Sequence, residues 1–306
     1  QDWSPPLMQV GRFFVYTSRS HHFLRMTNAG SLSPSISQNQ PHETSRSTSQ
    51  SPPRLDAPPR PPNKLTPYQH YEALGNPRFM CAPMVDQSEL AFRLLTRRYG
   101  ADLAYTPMFH AKHFAESAAY RERNFSTCEA DRPLVVQFCA NDPEKLLAAA
   151  REVEGRCDAV DLNLGCPQGI AKRGYYGAFL QDDWDLIFRL VNTLATNLSI
   201  PVWAKIRIFP ELDRTLAYAA MLERAGASVL GVHGRTRAQI KQNEGRASWD
   251  VIAAVKRHVG IPVVANGNVR CRADAEACLE ATGCDGVMSA MGLLENPAVF
   301  WGRGGG

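Results

Sequence analysis

From residue 68 onward, short apolar runs alternate with longer stretches in which apolar residues recur every three or four positions. Runs of the first kind fall at 79–83, 103–105, 134–138, 159–162, 202–206, 229–233, 262–265 and 286–288. Their near-continuous apolar character suits strands buried on both faces. Stretches of the second kind fall at 89–99, 143–153, 182–198, 212–224, 249–259 and 273–281, with a weaker one at 113–121. Their spacing is that of amphipathic helices. Strands alternating with helices read as parallel βαβ units. Eight units over this length predict an α/β fold of the TIM (β/α)8 barrel type. No G-x-G-x-x-G follows the first strand, which counts against a doubly wound dinucleotide fold. The chain ends soon after the eighth strand, so the final barrel helix is expected to be short or missing.

The alternation is absent before residue 65. Residues 31–62 are dense in Ser, Pro, Gln and Asn and carry almost no large apolar side chains. Such a stretch buries too little surface to offset its chain entropy, so 1–64 is read as a disordered extension and 65–306 as the barrel domain. Around 13–26, Arg12, Arg19 and Arg25 stand among Ser and His with few acids, as in organellar transit peptides. An untargeted extension has the same composition, and both readings stay open.

Composition adds little to this picture. The 306 residues are 44% hydrophobic and 21% charged, and the net charge of +4 permits an anionic partner without requiring one. None of the 8 cysteines forms a C-x-x-C pair, which argues against a zinc site or a redox dithiol and for a reducing compartment, the cytoplasm or nucleus. No apolar run is long enough to span a membrane.

Active sites in this fold sit at the C-terminal ends of the strands, and polar residues gather at those ends here. Gln137 lies in the third strand, and the fourth runs through Asp161 and Asn163 into Gly165-Cys166-Pro167. Lys205 and Arg207 mark the fifth, His233 the sixth, and Asn266-Gly267-Asn268 the seventh. Inside an apolar strand, Lys205 needs an anionic or strongly accepting partner. That partner is an acid such as Asp161, a bound electron-rich ring, or a carbonyl substrate of a Schiff-base aldolase. His233 on the next strand favours the ring. Gly267 and Gly292, after strands seven and eight, let backbone approach a phosphate where this fold commonly holds one. Cys166 is either a small buried hydrophobe or a general acid, since a thiol is mostly protonated at neutral pH.

The run Asp161-Leu162-Asn163-Leu164-Gly165-Cys166-Pro167-Gln168 and its continuation Ala171-Lys172-Arg173-Gly174-Tyr175-Tyr176-Gly177-Ala178-Phe179-Leu180 resemble the signature of tRNA-dihydrouridine synthases. Ala82-Pro83-Met84-Val85-Asp86, Tyr105-Thr106-Pro107-Met108, Val232-His233-Gly234-Arg235-Thr236 and Ala265-Asn266-Gly267-Asn268 extend the resemblance over 68–300. The Cys166 loop is most similar to the eukaryotic branch that modifies positions 16 and 17 of the tRNA D-loop. The resemblance implies bound FMN, NADPH as reductant, tRNA as partner, no metal, and reduction of the 5,6 double bond of uridine. It implies Pro83 and Met84 against the flavin ring, and Gln137, Lys205 and His233 on its polar edge. Asn266, Gly267, Asn268 and Gly292 would hold its phosphate. Asn163, Lys172 and Arg207 would meet the substrate, and Cys166 would donate the proton. Two departures stand out. Ala290-Met291-Gly292-Leu293 lacks the Arg or Glu that many relatives place near Met291, and the family's helical domain after the barrel is expected to be absent or truncated. A pseudoenzyme that binds flavin or RNA without turnover is the reading outside catalysis.

Overall fold

The computed structural model describes residues 64–240 and 245–302. Apart from Lys64, the extension and the transit-like segment expected at 1–64 lie outside the described residues. Among the described residues nine strands follow in order: β1 (Phe79–Cys81), β2 (Leu103–Tyr105), β3 (Phe109–His110), β4 (Leu134–Cys139), β5 (Ala159–Leu164), β6 (Val202–Ile208), β7 (Val229–Thr236), β8 (Val263–Asn266) and β9 (Gly286–Ser289). All their pairings are parallel. β1 pairs with β9 on one side and β2 on the other, and β2 pairs with β4, so the expected eight strands close into a ring.

β3 was not legible beforehand. It takes the same edge of β4 as β2, further along, so the second barrel strand is broken in two. The break falls at Thr106-Pro107, where proline has no N–H to donate. The Thr106 hydroxyl fills the gap by accepting from the Gln137 amide at 3.1 Å.

The larger helices match the periodic stretches closely. α1 (Pro67–Ala73) precedes the barrel, and α2 (Leu90–Arg98), α3 (Ala111–Glu116), α4 (Ala118–Asn124), α5 (Pro143–Arg151), α6 (Gly169–Gly174), α7 (Trp184–Asn197), α8 (Leu212–Ala225), α9 (Trp249–His258), α10 (Arg272–Thr282) and α11 (Met291–Glu295) follow. Starts are set by caps: the Asp142 carboxylate accepts from the Glu144 and Lys145 amides, with Pro143 as first helical residue, and Ser248 caps α9. The single weak helix expected at 113–121 is two helices. Ser117 ends α3 with an extended backbone and caps α4 by accepting from the Tyr120 amide. The last helix among the described residues, α11, follows β9 directly.

Strand parity sorts the core into two layers. In β6, Val202, Ala204 and Ile206 pack outward with the helices, while Trp203, Lys205 and Arg207 alternate with them and face inward. The floor of the barrel is apolar: Trp203, Leu103, Tyr105, Val135, Val229, Val264 and Met288 pack together. α1 seals this end. Tyr71 stacks on Trp203 at 6.3 Å between centroids, and the Trp203 indole N–H donates to Nε2 of His70 at 3.2 Å. Above the floor the same parity brings polar residues inward, and the functional groups stand there. Among the described residues, no helix is long and apolar enough to cross a membrane.

Candidate active site

A cavity of about 560 Å³ opens where β6 to β9 end. It is lined by Pro83, Lys205, His233, Asn266, Gly267, Asn268 and Gly292, seven of the residues expected from sequence. The strand register explains the grouping. Arg207 pairs with His233, and His233 with Asn266, so consecutive strands present their polar ends at one level.

Lys205 does not form the ion pair with Asp161 that its burial suggested. Its Nζ donates to Oδ1 of Asn266 at 2.9 Å, and Asn266 passes its own amide N–H to the Met288 carbonyl at 3.0 Å. Burial, joined by the charge of Arg207, pushes the Lys205 amine down to about 8. His233 is held well below the ordinary histidine range by burial and by three cations, Lys205, Arg207 and Arg235. It is therefore neutral near pH 7 and keeps one ring nitrogen as a donor and one as an acceptor. A neutral imidazole beside a lysine and arginines suits an electron-rich or anionic guest better than a cationic one.

The turn after β8 is shaped for close approach. Gly267 has φ of 119°, which L side chains rarely adopt, and a Cβ there would stand 2.5 Å from the Ala247 Cβ. Asn268 spends its amide on the backbone of Ala247, accepting at 3.0 Å and donating at 2.8 Å. Arg235 and Arg246 also line the cavity, and the Arg235 guanidinium donates to the Gly245 carbonyl. Neither arginine was singled out as a site residue from sequence. Arg235 could have been, because it stands two residues beyond His233 on the same strand.

The other expected residues lie beside the cavity rather than on its wall. Met84 packs against the outer hydrophobic cluster. Gln137 is fully buried, donates from Nε2 to Asp161 and accepts from Asn163, both at 2.8 Å. Asn163 then accepts from the amides of Gly165 and Cys166 at 3.1 and 2.8 Å, which bends the loop. Arg207 donates to three carbonyls, those of Gly165, Thr236 and Gln239, and so ties the loop to the end of β7. Lys172 is exposed on α6.

Cys166 is half-buried next to Cys139, Ala171 and Tyr176. Its carbonyl accepts from the Ala178 amide at 3.0 Å. Gly177 makes room for it: φ is 64°, and a Cβ would meet the Cys166 carbonyl oxygen at 2.8 Å. That glycine had no separate signal in the sequence beyond its place in the motif.

A family model described as dihydrouridine synthase matches residues 80–303. The chain belongs to the dihydrouridine synthase family. A Rattus norvegicus protein named tRNA-dihydrouridine(16/17) synthase (NAD(P)(+))-like is 59% identical over 233 residues, covering 76% of this chain and 53% of the relative. A Saccharomyces cerevisiae protein named tRNA-dihydrouridine(16/17) synthase (NAD(P)(+)) is 57% identical over 242 residues, covering 78% and 57%. The chain spans about half the length of these relatives. Among solved structures, the Amycolatopsis orientalis BexX/CysO complex is similar in fold, with a TM-score of 0.50 and 19% identity over 73% of this chain and 86% of that one. Membership in the dihydrouridine synthases sets aside the aldolase reading of Lys205, whose nitrogen is engaged with Asn266.

Proposed function

We propose that this chain is the catalytic barrel of a tRNA-dihydrouridine synthase, reducing the 5,6 double bond of D-loop uridines at positions 16 and 17. FMN is its bound cofactor and NADPH its reductant. The observation that carries the reading is a dihydrouridine-synthase barrel in which Lys205 of the cation-lined cavity is paired in register with Asn163, at the start of the Cys166 loop. The printed names of the rat and yeast relatives support the position and the use of NAD(P).

The residues present fit FMN. The cavity volume lies in the range of cofactor sites, roughly 300–1,000 Å³. Lys205 and neutral His233 would donate to the ring edge, and Pro83 would pack on its face. Gly267, Gly292 and the nearby Arg235 and Arg246 would hold the phosphate. The cofactor, when bound, supplies hydride to C6 of the uracil. Cys166 supplies the proton to C5. Asn163, Lys172 and Arg207 serve the substrate side, Asn163 and Arg207 by shaping the loop that carries the thiol. The uridine must leave the base stack to reach the site. Affinity for tRNA is expected to fall with salt, as phosphate contacts do. Eight unpaired cysteines support a reducing compartment, which we take to be the cytoplasm or nucleus, with an organelle reached through the N-terminal extension as the alternative.

Two variants test the reading. Cys166→Ala should bind FMN and be reduced by NADPH like the parent, while oxidation by tRNA slows about a hundredfold or more, the loss expected for a general acid. Stopped-flow absorbance separates the two half-reactions. Equal slowing of both, or unimpaired uridine reduction, would remove Cys166 from the chemistry. Lys205→Ala should lose most of its flavin on gel filtration. Flavin retention without uridine reduction in the parent itself would instead favour the pseudoenzyme.

A further inference from the structure

Beside the cavity, a line of hydrogen bonds runs from the barrel interior to the Cys166 loop. Asp161 Oδ2 accepts from Gln137 Nε2 at 2.8 Å, and Gln137 Oε1 accepts from Asn163 Nδ2 at 2.8 Å. Asn163 Oδ1 accepts from the amides of Gly165 and Cys166. Asp161 is 1% exposed and Gln137 is fully buried, so water does not substitute for these partners.

A carboxamide can turn over and exchange its donor for its acceptor. Here neither can do so alone. The loop offers two donors and requires an oxygen from Asn163. That requirement points Nδ2 of Asn163 at Gln137, which must answer with Oε1, leaving Nε2 to face the interior. Only an acceptor at the inner end completes the line, and the carboxyl of Asp161 is that acceptor. Its second oxygen, Oδ1, is buried without a hydrogen-bond partner among the described residues. Burial pushes the Asp161 carboxyl up to about 7, opposed by the Gln137 hydrogen bond and the Lys205 charge. A proton on Oδ1 leaves Oδ2 free to accept, so the line holds in both protonation states.

We infer that Asp161 is a positioning residue: by accepting from Gln137 it fixes the sense of both amides and thereby the backbone that presents the Cys166 thiol. This rests on the reading of Cys166 as the proton donor only for its catalytic consequence. The positioning itself has its own readout.

The experiment is amide hydrogen exchange at Gly165 and Cys166 in the full chain, resolved to single residues. It is paired with iodoacetamide alkylation of Cys166 in a background with the exposed Cys128 and Cys271 replaced by serine. Asp161→Leu keeps the branching at Cγ and removes the acceptor. It should speed exchange at both amides about fivefold to tenfold, the factor one net hydrogen bond carries, and change the alkylation rate of Cys166. Asp161→Asn keeps an oxygen for Gln137, as the protonated carboxyl does, and should exchange as slowly as the parent. Asp161→Leu combined with Asn163→Asp moves the carboxylate to the outer end of the line. The new carboxylate accepts from both loop amides and from Gln137, which can now turn over. This double variant should restore slow exchange at both amides. Amides of β8, far along the ring from β5, serve as the control for general loosening. Unchanged exchange at Gly165 and Cys166 in Asp161→Leu overturns the inference. So does fast loop exchange in Asp161→Asn, or in the double variant, while the β8 amides stay as protected as the parent's. If exchange responds as expected while uridine reduction does not, the positioning stands and the catalytic reading of Cys166 fails.

Discussion

Gly177 shows how one residue can decide whether the Cys166 loop closes. With φ of 64° and the Cys166 carbonyl oxygen 2.8 Å from where a Cβ would stand, alanine is both strained and crowded. Gly177→Ala should cost about 1–3 kcal/mol in chemical denaturation, the range for strained backbone positions. It should also alter Cys166 alkylation, because the loop has to move away. His70 makes a second prediction. Burial holds it at about 4 against an ordinary 6.5, so the folded protein keeps it neutral as acceptor for the Trp203 indole. Between those values the unfolded chain takes up a proton that the native one refuses. The stability it contributes is present above 6.5 and is lost as pH falls toward about 4. His70→Gln keeps an acceptor without the titration, so urea midpoints measured across this window should fall less steeply with acid than in the parent. Strand-end polarity had already marked Lys205, His233 and Asn266. The tasks of Gln137 and Asn163 were hidden, because their partners are fixed by register between strands that are distant in the chain.

At the scale of elements, α2 is held by an ion pair that its sequence does not announce. An arginine in an amphipathic helix normally reads as surface, yet Arg93 is buried. It donates to both oxygens of Asp131 and to the carbonyls of Ser88 and Ser126. Asp131 sits in the short 3-10 turn Glu129–Asp131 just before β4, so the pair joins helix to strand across 38 residues. Asp131→Ala would leave a guanidinium buried without its counter-charge, and should destabilise by about 3–5 kcal/mol in thermal or denaturant unfolding. The limits of α2, α5, α7, α8, α9 and α10 were legible to within two residues, because period and caps are local properties. The break between α3 and α4 was less so. Periodicity carries across Ser117, and only the serine's preference for a cap over a helix interior hints at a stop.

For the whole molecule, eight apolar runs sufficed to foresee a ring, since both faces of a barrel strand are buried and alternation with helices leaves little other choice. The fracture of the second strand into β2 and β3 escaped, because a two-residue strand has no period to detect. α1 escaped as well, although Thr66 followed by Pro67 and Gln69 is a capping box in plain sequence. That helix has a consequence for traffic. With Tyr71 and His70 packed under Trp203, the barrel is a cul-de-sac among the described residues, and the doorway to its polar layer is the cavity where β6 to β9 end. Two ligands that each need the cavity floor must then take turns, the first departing before the second is admitted. Initial rates measured while both are varied should give parallel lines in double-reciprocal form. Intersecting lines would mean that both fit at once, and that the doorway is wider than the floor it serves.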